Sequence, residues 1–153
     1  MKIANFVLSI VSSVLLFFST ILPGEGVLIA ALIFIATGDY GDDRITAGSL
    51  ALLLLYLLLL VISFVILVTG IVMYARRNKA SNVAYTVAQS ITSGISLLSH
   101  IASIIGTMII INFMDFDVSS IVLTIPAALG IAVSVAWLVC TSINGVKSRK
   151  CAA

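Results

Sequence analysis

Charge is what this chain has least of. Among its 153 residues 9% are Asp, Glu, Lys or Arg, whereas 61% are apolar. An ordinary soluble domain carries about 25% charged residues. The shortage excludes a water-soluble globule, and no polar stretch is long enough to build a separate soluble domain. Histidine occurs once and cysteine twice. With Cys140 and Cys151 as the only thiols, neither a disulfide framework nor a thiol-rich zinc site is expected. His-Glu-x-x-His, Gly-x-Ser-x-Gly, Cys-x-x-Cys and a phosphate-binding glycine loop are all missing. The expectation is a protein without catalytic activity, cofactor or resident metal. Basic residues come in short runs beside apolar segments, an arrangement that suits anionic lipid headgroups and not nucleic acid.

What is present is apolar sequence in long runs. Four of them, 4–37, 46–75, 85–113 and 119–144, are each long enough to cross a hydrocarbon core of about 30 Å as a helix rising 1.5 Å per residue. The fold class that follows is all-α, a four-helix transmembrane bundle forming a single domain. Residues 6–22 are long for the apolar core of a signal peptide and are read as a retained first span. Pro23-Gly24-Glu25-Gly26 interrupts that run with helix breakers, and 27–37 is too short to span alone. One long helix kinked at Pro23 is the preferred reading, with 27–37 as a separate half-helix the alternative. The leucine-rich run 50–60 has no polar face and is expected to meet lipid. Pro126 is expected to kink the fourth span near its start.

The charges sort by side. In a four-span arrangement Lys2, Arg76, Arg77, Lys79, Lys147, Arg149 and Lys150 share one side, leaving Arg44 on the other. Glu25, Asp39, Asp42, Asp43, Asp115 and Asp117 fall at or toward that other side. Under the positive-inside rule both termini are cytoplasmic, in a plasma membrane or a bacterial or archaeal cytoplasmic membrane. Arg76, Arg77, Lys79, Lys147, Arg149 and Lys150 are then headgroup contacts. The aspartates form outer acidic turns, read as solvated turns ahead of a hard-cation site because their spacing fits no calcium loop.

Chemistry concentrates in the third run. Gln89, Ser93, Ser96, His100, Ser103 and Thr107 follow at steps of four, three, four, three and four, which places all six on one helix face. Lipid cannot satisfy amide, hydroxyl or imidazole, so this seam must face protein or water and its helix belongs at the centre of the bundle. His100 is an ionisable group at membrane depth and hence a functional candidate. Glu25 is its candidate partner if the first helix is continuous. The seam reads either as interhelical glue or as an ion or proton path through His100, Glu25, Gln89, Ser93, Ser96, Ser103 and Thr107. In the fourth run Ala128, Ala132, Ala136 and Cys140 recur every four residues, a small-residue ridge expected to pack against Ser99, Ser103 and Gly106. The leading function is that of a structural or accessory subunit packed against other integral membrane proteins or against itself. The alternative is a small ion or proton channel or transporter.

Overall fold

The computed structural model describes residues 2–37, 43–76, 82–113 and 122–150. They form four helices, α1 (Lys2–Thr37), α2 (Asp43–Ala75), α3 (Asn82–Phe113) and α4 (Ile125–Lys150), all long and apolar enough to cross a membrane. α1 packs on α2, α3 and α4, and α3 likewise touches the other three, whereas among the described residues α2 and α4 do not meet. The cross-section is therefore a rhombus with α1 and α3 on its short diagonal. The sequence places α3 at the centre; the structure gives α1 an equal share of it.

α1 runs unbroken through Pro23, so 27–37 is not a separate half-helix. Proline has no N–H for the carbonyl four residues back, here that of Ser19, and inside a bundle that carbonyl needs another donor. Ser103 of α3 supplies it, its Oγ donating to the Ser19 carbonyl at 3.0 Å. Pro126 breaks nothing, because it is the second residue of α4, where a missing N–H costs no intrahelical bond. α4 begins at Ile125 after a 3-10 turn over 122–124, and residues 119–121 lie outside the described residues.

The molecule is apolar outside and polar within. Leu54, Leu57, Leu58, Val61 and Phe64 of α2 are exposed, as expected of a lipid-facing helix. The apolar core divides into two small clusters, one of Leu16, Ile66 and Trp137, the other of Val27, Tyr56, Leu59 and Ile110. Around them serines, threonines, Asn5, Gln89 and His100 are buried. Inside a membrane, helix association draws on close packing and interhelical hydrogen bonds, since moving leucine from lipid to protein gains little. α1 and α2 illustrate this at Ser13 and Ser63, where each hydroxyl donates to the other residue's carbonyl, at 2.8 and 3.1 Å.

Candidate functional site

The seam of α3 meets α1 and α4 at mid-bundle. Ser12 of α1, Ser96 of α3 and Ser134 of α4 form a triangle of hydroxyls, with Ser12 to Ser96 at 2.5 Å, Ser12 to Ser134 at 3.0 Å and Ser96 to Ser134 at 2.9 Å. Each hydroxyl has one proton and two lone pairs. A closed triangle uses every O–H once as donor and every oxygen once as acceptor. Ser12 Oγ keeps one lone pair, and His100 Nε2 lies 3.3 Å from it. The count thus assigns the proton of His100 to Nε2, donating to Ser12, and leaves Nδ1 an acceptor. Nδ1 is buried without a partner. The imidazole is 0% exposed and lies against Gly130 of α4, where any Cβ would collide with the ring. Glycine at 130 is what lets α4 close over a histidine.

The rest of the seam is also spent inside the chain. Gln89 Oε1 accepts the indole N–H of Trp137 at 2.7 Å, and Ser93 bonds back to the Ser90 carbonyl at 3.0 Å. Ser103 serves the carbonyl freed by Pro23. Thr107 bonds back to the Ser103 carbonyl at 2.8 Å and meets the Tyr56 hydroxyl of α2 at 3.1 Å. α1 and α3 run parallel in a constant register, Ser12 beside Ser96 and Ser19 beside Ser103, a step of seven on both helices. Such a repeat is the seam of a left-handed helix pair.

Two expectations require correction. Glu25 is exposed and thirteen residues, about 20 Å of helix, from the Ser12 that touches His100. The Glu25–His100 pair does not form, because continuing α1 through Pro23 carries the carboxylate toward the far end of the bundle. The ridge of Ala128, Ala132 and Ala136 is exposed, with Cys140 at intermediate burial, and does not mediate the α3–α4 contact. That contact runs along Ala127, Gly130, Ser134, Trp137 and Thr141, all buried. Positions 128 and 130 lie about 200° apart around a helix, so presenting Gly130 to His100 turns the ridge away. On α3, Ser99 bonds to its own helix at the Ile95 carbonyl, 2.8 Å, and Gly106 faces Tyr56 and Leu55 of α2.

Of the charged positions, Asp39, Asp42, Asp115, Asp117, Arg77 and Lys79 lie outside the described residues. Asp43 opens α2, Arg76 follows its last turn, and Lys147, Arg149 and Lys150 fall in the closing turns of α4. Among the described residues no three of His, Cys, Asp and Glu come together.

A second polar group was not anticipated from the sequence. Where α1 and α3 begin, Asn5 is 0% and Tyr85 3% exposed, and both amide atoms of Asn5, the Tyr85 hydroxyl and Asn144 Nδ2 are buried without partners. The signal was present in the spacing, since Asn5 lies one heptad before Ser12, and Tyr85 one turn before Gln89. No known family's model, no curated protein and no solved structure matches the chain.

Proposed function

We propose that the chain is an integral membrane protein with both termini in the cytoplasm, resident in a plasma membrane or a bacterial or archaeal cytoplasmic membrane. Its role is non-catalytic: it is a structural or accessory subunit that packs against other integral membrane proteins or against copies of itself. The observation that carries this reading is that the polar seam is consumed within one chain. Of the seam groups on which a conduction path would depend, Gln89, Ser96, His100 and Ser103 are occupied in tying α3 to α1 or α4, Thr107 meets α2, and Ser93 bonds within its own helix. The small-residue ridge of Ala128, Ala132 and Ala136, left outside that contact, gives a neighbouring transmembrane helix a face it can approach closely.

Extraction from the native membrane in mild detergent, followed by intact-mass measurement, tests the role. A defined complex with other membrane proteins, or a homo-oligomer of fixed number that dissociates on Ala132→Leu, is the expected result. A lone monomer overturns it. The competing reading, an ion or proton path through His100, draws on one observation, the unpartnered Nδ1. Flux across liposomes that is lost in His100→Gln, with the fold retained, would decide for that path. Orientation is checked by single cysteines placed at residues 2 and 40 and labelled from outside the cell, only the second being expected to react.

A further inference from the structure

Polar groups that the chain leaves unused gather at the end of the bundle where α1 and α3 begin. We infer that this end is an anion site that takes a phosphate group, the chemistry shared by anionic lipid headgroups and free phosphate. It is independent of the packing role proposed above.

Four observations converge. Asn5 and Tyr85 are almost fully buried, yet Asn5 Nδ2, the Tyr85 hydroxyl and Asn144 Nδ2 donate to nothing. Buried donors in a membrane protein require acceptors, because the hydrocarbon core provides none. Second, the groups share one level. Carrying the α1–α3 register down from Ser12 and Ser96 sets Asn5 beside Gln89, one turn from Tyr85. Lys2, on the same face of α1 as Asn5, places its ammonium 5.5 Å from the centre of the Tyr85 ring. On α4 a Cβ at Gly145 would lie 3.1 Å from Thr86 Cγ2, which puts Asn144 level with Tyr85.

Third, α1 and α3 are parallel, so two long helices direct the positive ends of their dipoles to the same end of the bundle. Fourth, the fixed charge has one sign. Among the described residues Lys2, Arg76, Lys147, Arg149 and Lys150 lie at this end, whereas Glu25 and Asp43 lie toward the other. α2 and α4 end here with the opposite dipole, but Arg76 follows the last turn of α2, and Lys147, Arg149 and Lys150 fall in the closing turns of α4. Neutral donors around a cationic mouth suit an oxyanion. Asn5 Oδ1, which can only accept, suits the P–OH of a monophosphate or the hydroxyl of a glycerol headgroup.

The single tryptophan is a built-in reporter, because Trp137 donates to Gln89, one turn along α3 from Tyr85. The full chain, freed of lipid in dodecyl maltoside, is titrated with inorganic phosphate, with dihexanoyl phosphatidic acid and with dihexanoylglycerol, while Trp137 emission is followed. A saturable change with a phosphate compound and none with dihexanoylglycerol is expected. Tyr85→Phe, which removes one oxygen, and Asn5→Leu should each weaken binding about tenfold, the loss of one hydrogen bond to a charged group. Asn112→Leu at the opposite end should leave it unchanged. Size-exclusion chromatography confirms that each variant keeps the fold. A response to inorganic phosphate makes free phosphate a sufficient ligand, and a response to phosphatidic acid alone makes the lipid the source. No saturable response, or one that Tyr85→Phe and Asn5→Leu leave unaltered, overturns the inference.

Discussion

Two buried polar regions lie on the same three helices, and they are finished differently. At mid-bundle Ser12, Ser96, Ser134 and His100 form a network in which only the imidazole Nδ1 is left over. About two turns away, Asn5, Tyr85 and Asn144 bury four polar atoms that bond to nothing in the chain. The first arrangement fixes which residue of α1 stands beside which residue of α3 and α4. A one-residue slip would break every one of its bonds at once, so it sets register as well as strength. The second fixes nothing inside the chain and keeps its bonding capacity for something outside it. Polarity at membrane depth is therefore not one signal: a closed network holds helices together, and an open one is available to a ligand.

The sharpest way to break the closed region is to overfill it. Gly130→Val places branched carbons where the imidazole of His100 lies and should destabilise the bundle by about 3 kcal/mol, toward the upper end for overpacking. Gly130→Ala combined with His100→Ala should recover much of the cost of Gly130→Ala alone. Reversible unfolding in mixed micelles, followed by Trp137 fluorescence, gives both values. Recovery failing in the double variant would show that the histidine is not what the glycine accommodates. Ser12→Ala, which deletes the only vertex bonded to both other serines and to His100, should cost about 1.5 kcal/mol, near the top of the range for interhelical hydrogen bonds in membranes. A cost no larger than that of Ser99→Ala, whose hydroxyl bonds only within its own helix, would deny the network any special weight.

The fold was legible because run length and apolar content are local properties, and the four spans follow from them. The face of α3 was legible for the same reason: a step of three and four is local. What the face meets was not, since Ser12 and Ser134 lie 84 and 38 residues from Ser96 and nothing local names them. α4 carries its own pattern in Gly130, Ser134, Trp137 and Thr141, but the alanine ridge beside it is more regular and was the one chosen. What decides between the two faces lies on the facing helices: the bulk of His100 against Gly130, and the partners of Ser134 and Trp137. Glu25 was assigned to the site on chemistry alone, and helical rise removes it.

A smaller effect tests how Pro23 is tolerated. Ser103→Ala leaves the Ser19 carbonyl without the donor that α3 supplies, at a cost of about 1 kcal/mol. In a Pro23→Ala background residue 23 regains its own N–H for that carbonyl, so the same substitution should cost about half as much or less. A double-mutant cycle measures the difference directly. Additive costs would mean that Ser103 does not compensate for the proline.

The smallest effect separates the two regions most cleanly. Removing a buried polar group that has no partner leaves nothing unsatisfied, and an apolar residue of similar size is then neutral or mildly stabilising. Asn5→Leu, measured in lipid-free detergent without phosphate, should change stability by no more than about 0.5 kcal/mol in either direction. Ser12, two turns along the same face of the same helix, is predicted to be costly, so the pair compares a closed and an open polar residue with depth and helix held nearly constant. If Asn5→Leu costs as much as Ser12→Ala, the amide is bonded in the free protein and the two regions are alike. If it is neutral without phosphate and becomes costly once phosphatidic acid is added, the whole worth of Asn5 lies in what it binds.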